Sequence, residues 1–125
     1  MKQTISLLSI LFLGFFALQA QDLKPFDPYT MWEMKRPGNP VVSPDGNWSV
    51  FGVTEYDIEE STGESNLHLL NNQSGEVRQI TFSGSDSGPA WSPDGQKIAF
   101  VSRRHGGPGQ IHILDMAGGE AKKIT

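Results

Sequence analysis

The chain repeats itself, and that repeat constrains its fold more than any other feature. Pro40-Val-Val-Ser-Pro-Asp-Gly46 is matched by Pro89-Ala-Trp-Ser-Pro-Asp-Gly95, an offset of 49 between Pro44 and Pro93. Further on, Asn66-Leu-His-Leu-Leu-Asn71 with Gly75-Glu76 and Ile80-Thr81 is matched by Gln110-Ile-His-Ile-Leu-Asp115 with Gly119-Glu120 and Ile124-Thr125, an offset of 44. The difference falls between the matched segments, in a loop expected from Glu55 to Ser65 in the first copy and Arg103 to Gly109 in the second. Length change confined to a loop, with both flanks in register, marks a structural repeat.

Each copy reads as four short strands rich in apolar and β-branched residues and bounded by Gly, Pro, Asn and Asp. They are expected at Pro40 to Ser43, Trp48 to Thr54, Asn66 to Asn71 and Val77 to Thr81. In the second copy they fall at Gly88 to Ser92, Lys97 to Ser102, Gln110 to Met116 and Ala121 to Thr125. Alternation is only partial, with Ile98 and Phe100 on one face but Ala99 and Val101 on the other, as in a sheet covered on both sides. Ser-Pro-Asp-Gly is turn chemistry: proline presets φ and glycine takes the left-handed position. Asn72 to Gly75 and Ala117 to Glu120 read as the turns between strands three and four.

Four strands in a period of 40 to 50 residues are the signature of a β-propeller blade. The expected fold is therefore all-β: two four-stranded antiparallel blades of an incomplete propeller, over 40–81 and 82–125, preceded by a signal peptide (1–20) and a segment with one short helix (21–39). Two blades cannot close a ring of four to eight, so the expectation is the N-terminal portion of a longer protein. A natural product of 125 residues would have to self-associate to cover its strand edges.

Lys2 precedes an uncharged run from Ile5 to Leu18, and Ala20 suits cleavage before Gln21, which predicts export to the periplasm or medium. The run is short for a membrane span, so stable insertion is not expected after cleavage. Asp27 as cap and Pro28 at the first helical position predict a helix to Lys35, stopped by Pro37. Its Tyr29, Met31, Trp32 and Met34 are expected to be packing contacts. Lys and Arg number 10 against 14 Asp and Glu and are scattered, which argues against nucleic acid as a partner. The lack of cysteine excludes disulfides, thiolate metal sites and thiol catalysis.

The leader, the helix, PVVSPDGNWSVFGV, an acidic loop, ESNLHLLNNQSGEVRQIT and the second copy together resemble the propeller start of the prolyl oligopeptidase family, in its acylaminoacyl peptidase and bacterial dipeptidyl peptidase branch. SPDG blades also occur in TolB-like propellers, so a non-catalytic propeller that binds a protein partner stands as the alternative. The peptidase resemblance implies that the propeller gates access of short peptides and helps hold the substrate amine. It also implies an α/β-hydrolase domain that supplies the catalytic Ser, Asp and His and lies C-terminal to this chain. No catalytic residue is assigned here: the string nearest to Gly-x-Ser-x-Gly, Gly84-Ser-Asp-Ser-Gly88, has Asp86 at its centre.

Glu59 and Glu60 are the candidate substrate-binding residues, because paired carboxylates can grip a peptide ammonium. They sit in an acidic run with Asp57 and Glu64, of the kind usually found on solvated surfaces. His68 and His112 occupy matching repeat positions and read as a repeated structural environment; no third ligand is spaced to join them, so neither metal nor cofactor is expected. Arg103, Arg104 and His105 read as a solvated hairpin loop, with a substrate carboxylate as the functional alternative. Trp48 and Trp91 read as packing between blades. The glycosylation sequons at Asn47 and Asn72 are discounted as chance matches.

Overall fold

The computed structural model describes residues 27–125, so the expected leader lies outside the described residues. Two antiparallel sheets follow one short helix, α1 (Pro28–Glu33). The first sheet contains β1 (Arg36–Pro37), β2 (Val41–Val42), β3 (Trp48–Asp57), β4 (Thr62–Asn71) and β5 (Val77–Gln79). The second runs in simple order through β6 (Asp86–Trp91), β7 (Lys97–Ser102), β8 (Gln110–Asp115) and β9 (Lys122–Lys123).

The first sheet has five pieces where four strands were expected, because its first strand is split. β1 and β2 both pair with β3, at Pro37↔Val53 and Val41↔Val50. Between them Pro40 has no amide hydrogen for the ladder, and Gly38 N donates instead to Gly52 O at 2.7 Å. The second sheet breaks at the matching place: β6 shifts register between Ser87 and Ala90, where Gly88 takes a φ of 60° before Pro89. An offset of 49 therefore maps the first two strands of one blade onto the other pair by pair, with Val42↔Ser49 corresponding to Trp91↔Ile98.

The loop expected over Glu55 to Ser65 is instead mostly ladder. β3 and β4 stay paired out to Asp57↔Thr62, so the extra residues lengthen a hairpin. Asp57 Oδ1 accepts from Glu60 N at 3.0 Å, and Ser61 takes the left-handed φ of 52°, which closes the turn tightly enough for pairing to continue. The second-copy loop agrees with expectation, since pairing stops at Ser102↔Gln110.

One core joins the sheets. Val50 pairs in register with Leu69, and Leu67 stands two residues along on the same face. That face packs on Ile98 and Phe100 of the second sheet, and all five side chains are essentially inaccessible. At roughly 1.5–3 kcal/mol per large apolar side chain, this contact is a main source of stability. Trp48 and Trp91 pack against it, as expected, and Trp91 Nε1 donates across the junction to Val41 O at 2.8 Å. The opposite face of the second sheet is not covered in this way, and Val101 and Ile111 are exposed on it.

The helix departs from expectation in extent and packing. It ends at Glu33, and none of its residues is buried; Tyr29, Met31 and Trp32, together with Met34 just after it, are exposed. Strand side chains fill the core, and the helix lies beside the β3–β4 hairpin, where Trp32 meets Tyr56 edge to face at 6.0 Å. Asp27 caps it as expected, accepting from Thr30 N at 2.7 Å, and that bond holds the Asp27 carboxyl below its ordinary range.

Candidate functional site

The two Ser-Pro-Asp-Gly turns show how closely the blades copy each other. Ser43 Oγ donates to Asp45 Oδ1 at 2.5 Å, Asn47 N donates to the same oxygen at 3.0 Å, and Ser43 Oγ accepts from Trp48 N at 3.0 Å. Ser92, Asp94, Gln96 and Lys97 reproduce this at 2.5, 3.0 and 2.9 Å. The serine hydroxyl and then the amide hold both aspartates below their ordinary range. Glycine closes each turn at a φ of 76° or 71°, so these motifs are structural.

Glu59 and Glu60 stand exposed at the tip of the β3–β4 hairpin, beyond the last ladder pair. Two adjoining concavities open beside that tip. One, of about 300 Å³, is bounded by Trp32, Tyr56, Asp57, Ile58, Ser61 and Thr62. The other, of about 320 Å³, is bounded by Glu55, Tyr56, Asp57, Glu60, Thr62 and Glu64. Glu60 thus belongs to a groove wall, while Glu59 borders neither. The aromatic half of this region was not foreseen as a site; the signal for it is the pair of aromatics at Trp32 and Tyr56, one on each side of the first SPDG motif.

A second polar cluster sits at the junction of the sheets. Asp86 is fully buried and its Oδ1 receives Arg104 Nη2 at 3.1 Å; Arg104 Nε donates to Ser102 Oγ at 2.9 Å. Burial pushes the Asp86 carboxyl up, but the hydroxyls of Ser102, Ser83 and Thr81 and the guanidinium together hold it below its ordinary value. Arg104, expected in a solvated loop or against a substrate carboxylate, is therefore committed to Asp86, and its guanidinium lies 5.5 Å from the Phe100 ring centroid. His105 is exposed, with its ring 5.9 Å from that of His112.

His68 and His112 repeat one environment, as expected. His68 stacks on Phe51 at 6.0 Å and His112 on Phe100 at 5.9 Å, each across its own sheet. Among the described residues no group of three or more His, Asp or Glu gathers to hold a metal, and no helix is long and apolar enough to cross a membrane.

Known proteins share this sequence pattern and architecture. The PD40 TolB beta propeller domain family matches residues 32–125. The uncharacterized peptidase YuxL of Bacillus subtilis is 33% identical over 88 residues, covering 70% of this chain and 13% of that protein. A protein TolB homolog of Chlorobium luteolum is 37% identical over 82 residues, covering 65% of this chain and 18% of its own length. Among solved structures, the acylaminoacyl peptidase of Pyrococcus horikoshii superposes with a TM-score of 0.65 at 26% identity, over 78% of this chain and 15% of that one. The chain thus spans less than a fifth of each of these relatives.

Proposed function

Because this chain belongs to the TolB beta propeller domain family, we propose that it is the propeller portion of an exported serine peptidase, with hydrolysis performed by an α/β-hydrolase domain outside residues 1–125. The likeness to acylaminoacyl peptidase over 78% of the chain carries this reading, and the kinship with peptidase YuxL supports it. The uncovered face bearing Val101 and Ile111 supports further blades in the complete protein. Export proceeds through a leader over residues 1–20, removed before Gln21.

In this reading the blades restrict entry to short peptides, and Glu59 and Glu60 hold the substrate's free ammonium. A hairpin paired almost to its tip is a stiff mount, and charge-assisted bonds favour a free amine over a blocked one. In the complete protein, Glu59→Gln with Glu60→Gln raises KM for free-amine dipeptide substrates and leaves N-acetylated ones unaffected. An unchanged KM removes the anchor from the mechanism.

A second reading rests on the 37% identity with a TolB homolog: a non-catalytic propeller that binds a protein partner. The coding sequence beyond Thr125 separates the two. A Gly-x-Ser-x-Gly segment on a strand-to-helix turn after further blades supports the peptidase, and blades alone support the binding protein.

A further inference from the structure

His112 is 1% exposed, and its two ring nitrogens are not equivalent. Nδ1 lies 3.1 Å from Gln110 O, and because a carbonyl can only accept, Nδ1 carries the proton and donates. Nε2 is then a bare lone pair, buried and without a hydrogen-bond partner. An acceptor left in that condition is costly. An imidazole whose other nitrogen donates to a backbone carbonyl is also the arrangement that metal-ligating histidines adopt, since it fixes the tautomer and the ring's orientation.

The first blade shows that stacking alone does not call for a second imidazole here. His68 stacks on Phe51 as His112 does on Phe100, yet the residue aligned with His105 at the offset of 49 is Tyr56, whose ring meets Trp32 and Arg36 instead. In the second blade the His105 ring lies 5.9 Å from that of His112. An ion about 2.0–2.1 Å from one nitrogen of each of two imidazoles sits roughly 3 Å from each centroid, which sets the rings about 5–6.5 Å apart. The observed spacing falls within that range. His105 is exposed on the β7–β8 loop, so its ring can turn a nitrogen toward Nε2.

We propose that His105 and His112 together bind a divalent transition-metal ion of the zinc or copper class, His112 through Nε2, with water in the remaining positions. His105 borders a concavity of about 570 Å³ that also touches Phe82, Arg104, Leu114 and Glu120, which gives the ion a path and its waters room. The Arg104 charge is offset by Asp86, Lys123 opposite His112 is exposed, and the Glu120 carboxylate favours a cation. The ion ties the β7–β8 loop to β8, and so fastens the loop that carries Arg104 to Asp86. This site is independent of the free-amine anchor proposed for Glu59 and Glu60.

Zn²⁺ alone, titrated into the full, isotopically labelled chain, shifts the ring nitrogens of both His105 and His112 and the Gly106 and Gly107 amides, and leaves His68 in place. Cu²⁺ binds more tightly than Zn²⁺, as the order of divalent affinities requires. His105→Ala and His112→Phe each weaken Zn²⁺ binding by about tenfold or more. Zn²⁺ raises the thermal midpoint of the parent chain and not that of His105→Ala. Because the His105 ring is exposed, that variant decides the matter even if His112→Phe disturbs the core. A shift of the His105 ring without that of His112 means adventitious binding at one surface imidazole and overturns the proposal. So does unchanged affinity in His105→Ala, an equal shift of His68, or no binding at all.

Discussion

Asp86 in the second sheet and Pro37 in the first occupy the same register position, 49 residues apart, each opposite the second strand of its blade. Asp86 faces Ser102 and is gripped by Arg104, inaccessible to solvent. Pro37 faces Val53, and Glu55, the counterpart of Arg104, reaches outward to Lys35 at 2.7 Å with both side chains largely exposed. The antiparallel pair forms at this register in both sheets, Pro37↔Val53 and Asp86↔Ser102, so the ladder there does not require the polar cluster. What the cluster adds is a junction: Thr81 and Ser83, which flank the Asp86 carboxyl, come from the connection out of the first sheet, and Ser65 Oγ donates to Asp86 O at 2.9 Å. A buried ion pair of this kind, held through Oδ1 while Oδ2 has no hydrogen-bond partner, fixes how two elements meet more than how strongly each one holds.

The sharpest way to break the comparison is to remove Arg104. Arg104→Ala leaves a buried carboxylate unpaired and is expected to cost about 3–5 kcal/mol in urea unfolding of the chain. Acid titration probes the same contact. The Asp86 carboxyl is depressed below the ordinary 3.8, so its contribution is fully present above that value and lost as pH falls through the lower folded-state value. Asp86→Asn should flatten the acid limb of the stability curve, leaving the part due to Asp27, Asp45 and Asp94, which are also depressed.

The turns sharpen the comparison from the other side, because there the blades agree. Gly46→Val and Gly95→Val each force a branched side chain to positive φ and are expected to cost about 1–3 kcal/mol, with similar values at the two sites. Gly46 opens on empty space and Gly95 has only ordinary contact with Pro44 at 3.6 Å, so a large difference between them would show that the turns are not equivalent. The smallest effect belongs to the first sheet's exposed pair: Glu55→Ala should change stability by about 0–1 kcal/mol, and less at high salt.

The features read correctly from sequence are those set by local chemistry repeated twice. Ser-Pro-Asp-Gly fixed both turns, the matched His68 and His112 marked one environment, and Trp91 marked the junction. Errors arose where an element's surroundings decide the outcome. The length difference between the copies suggested a loop around Glu59 because insertions usually fall in loops, yet a hairpin projecting into solvent has no buried face to protect and can absorb extra residues as ladder through Asp57. Tyr29, Met31 and Met34 suggested a buried helix because apolar side chains usually pack inward, but strand side chains already fill the core. Arg104 looked solvated because its partner, Asp86, is a distant residue brought close only by pairing of β6 with β7. The alignment of copies held the clue: an aspartate where the other blade has proline, and an arginine where it has glutamate.

The blades meet through unlike surfaces, Val50, Leu67 and Leu69 from one against Ile98 and Phe100 from the next. Such a contact is directional, like a hook and an eye, and it offers no two-fold axis. Copies that stacked the surface around Val101 and Ile111 on the outer face of another copy's first sheet would line up head to tail, and such a row terminates only by curving back onto its own beginning.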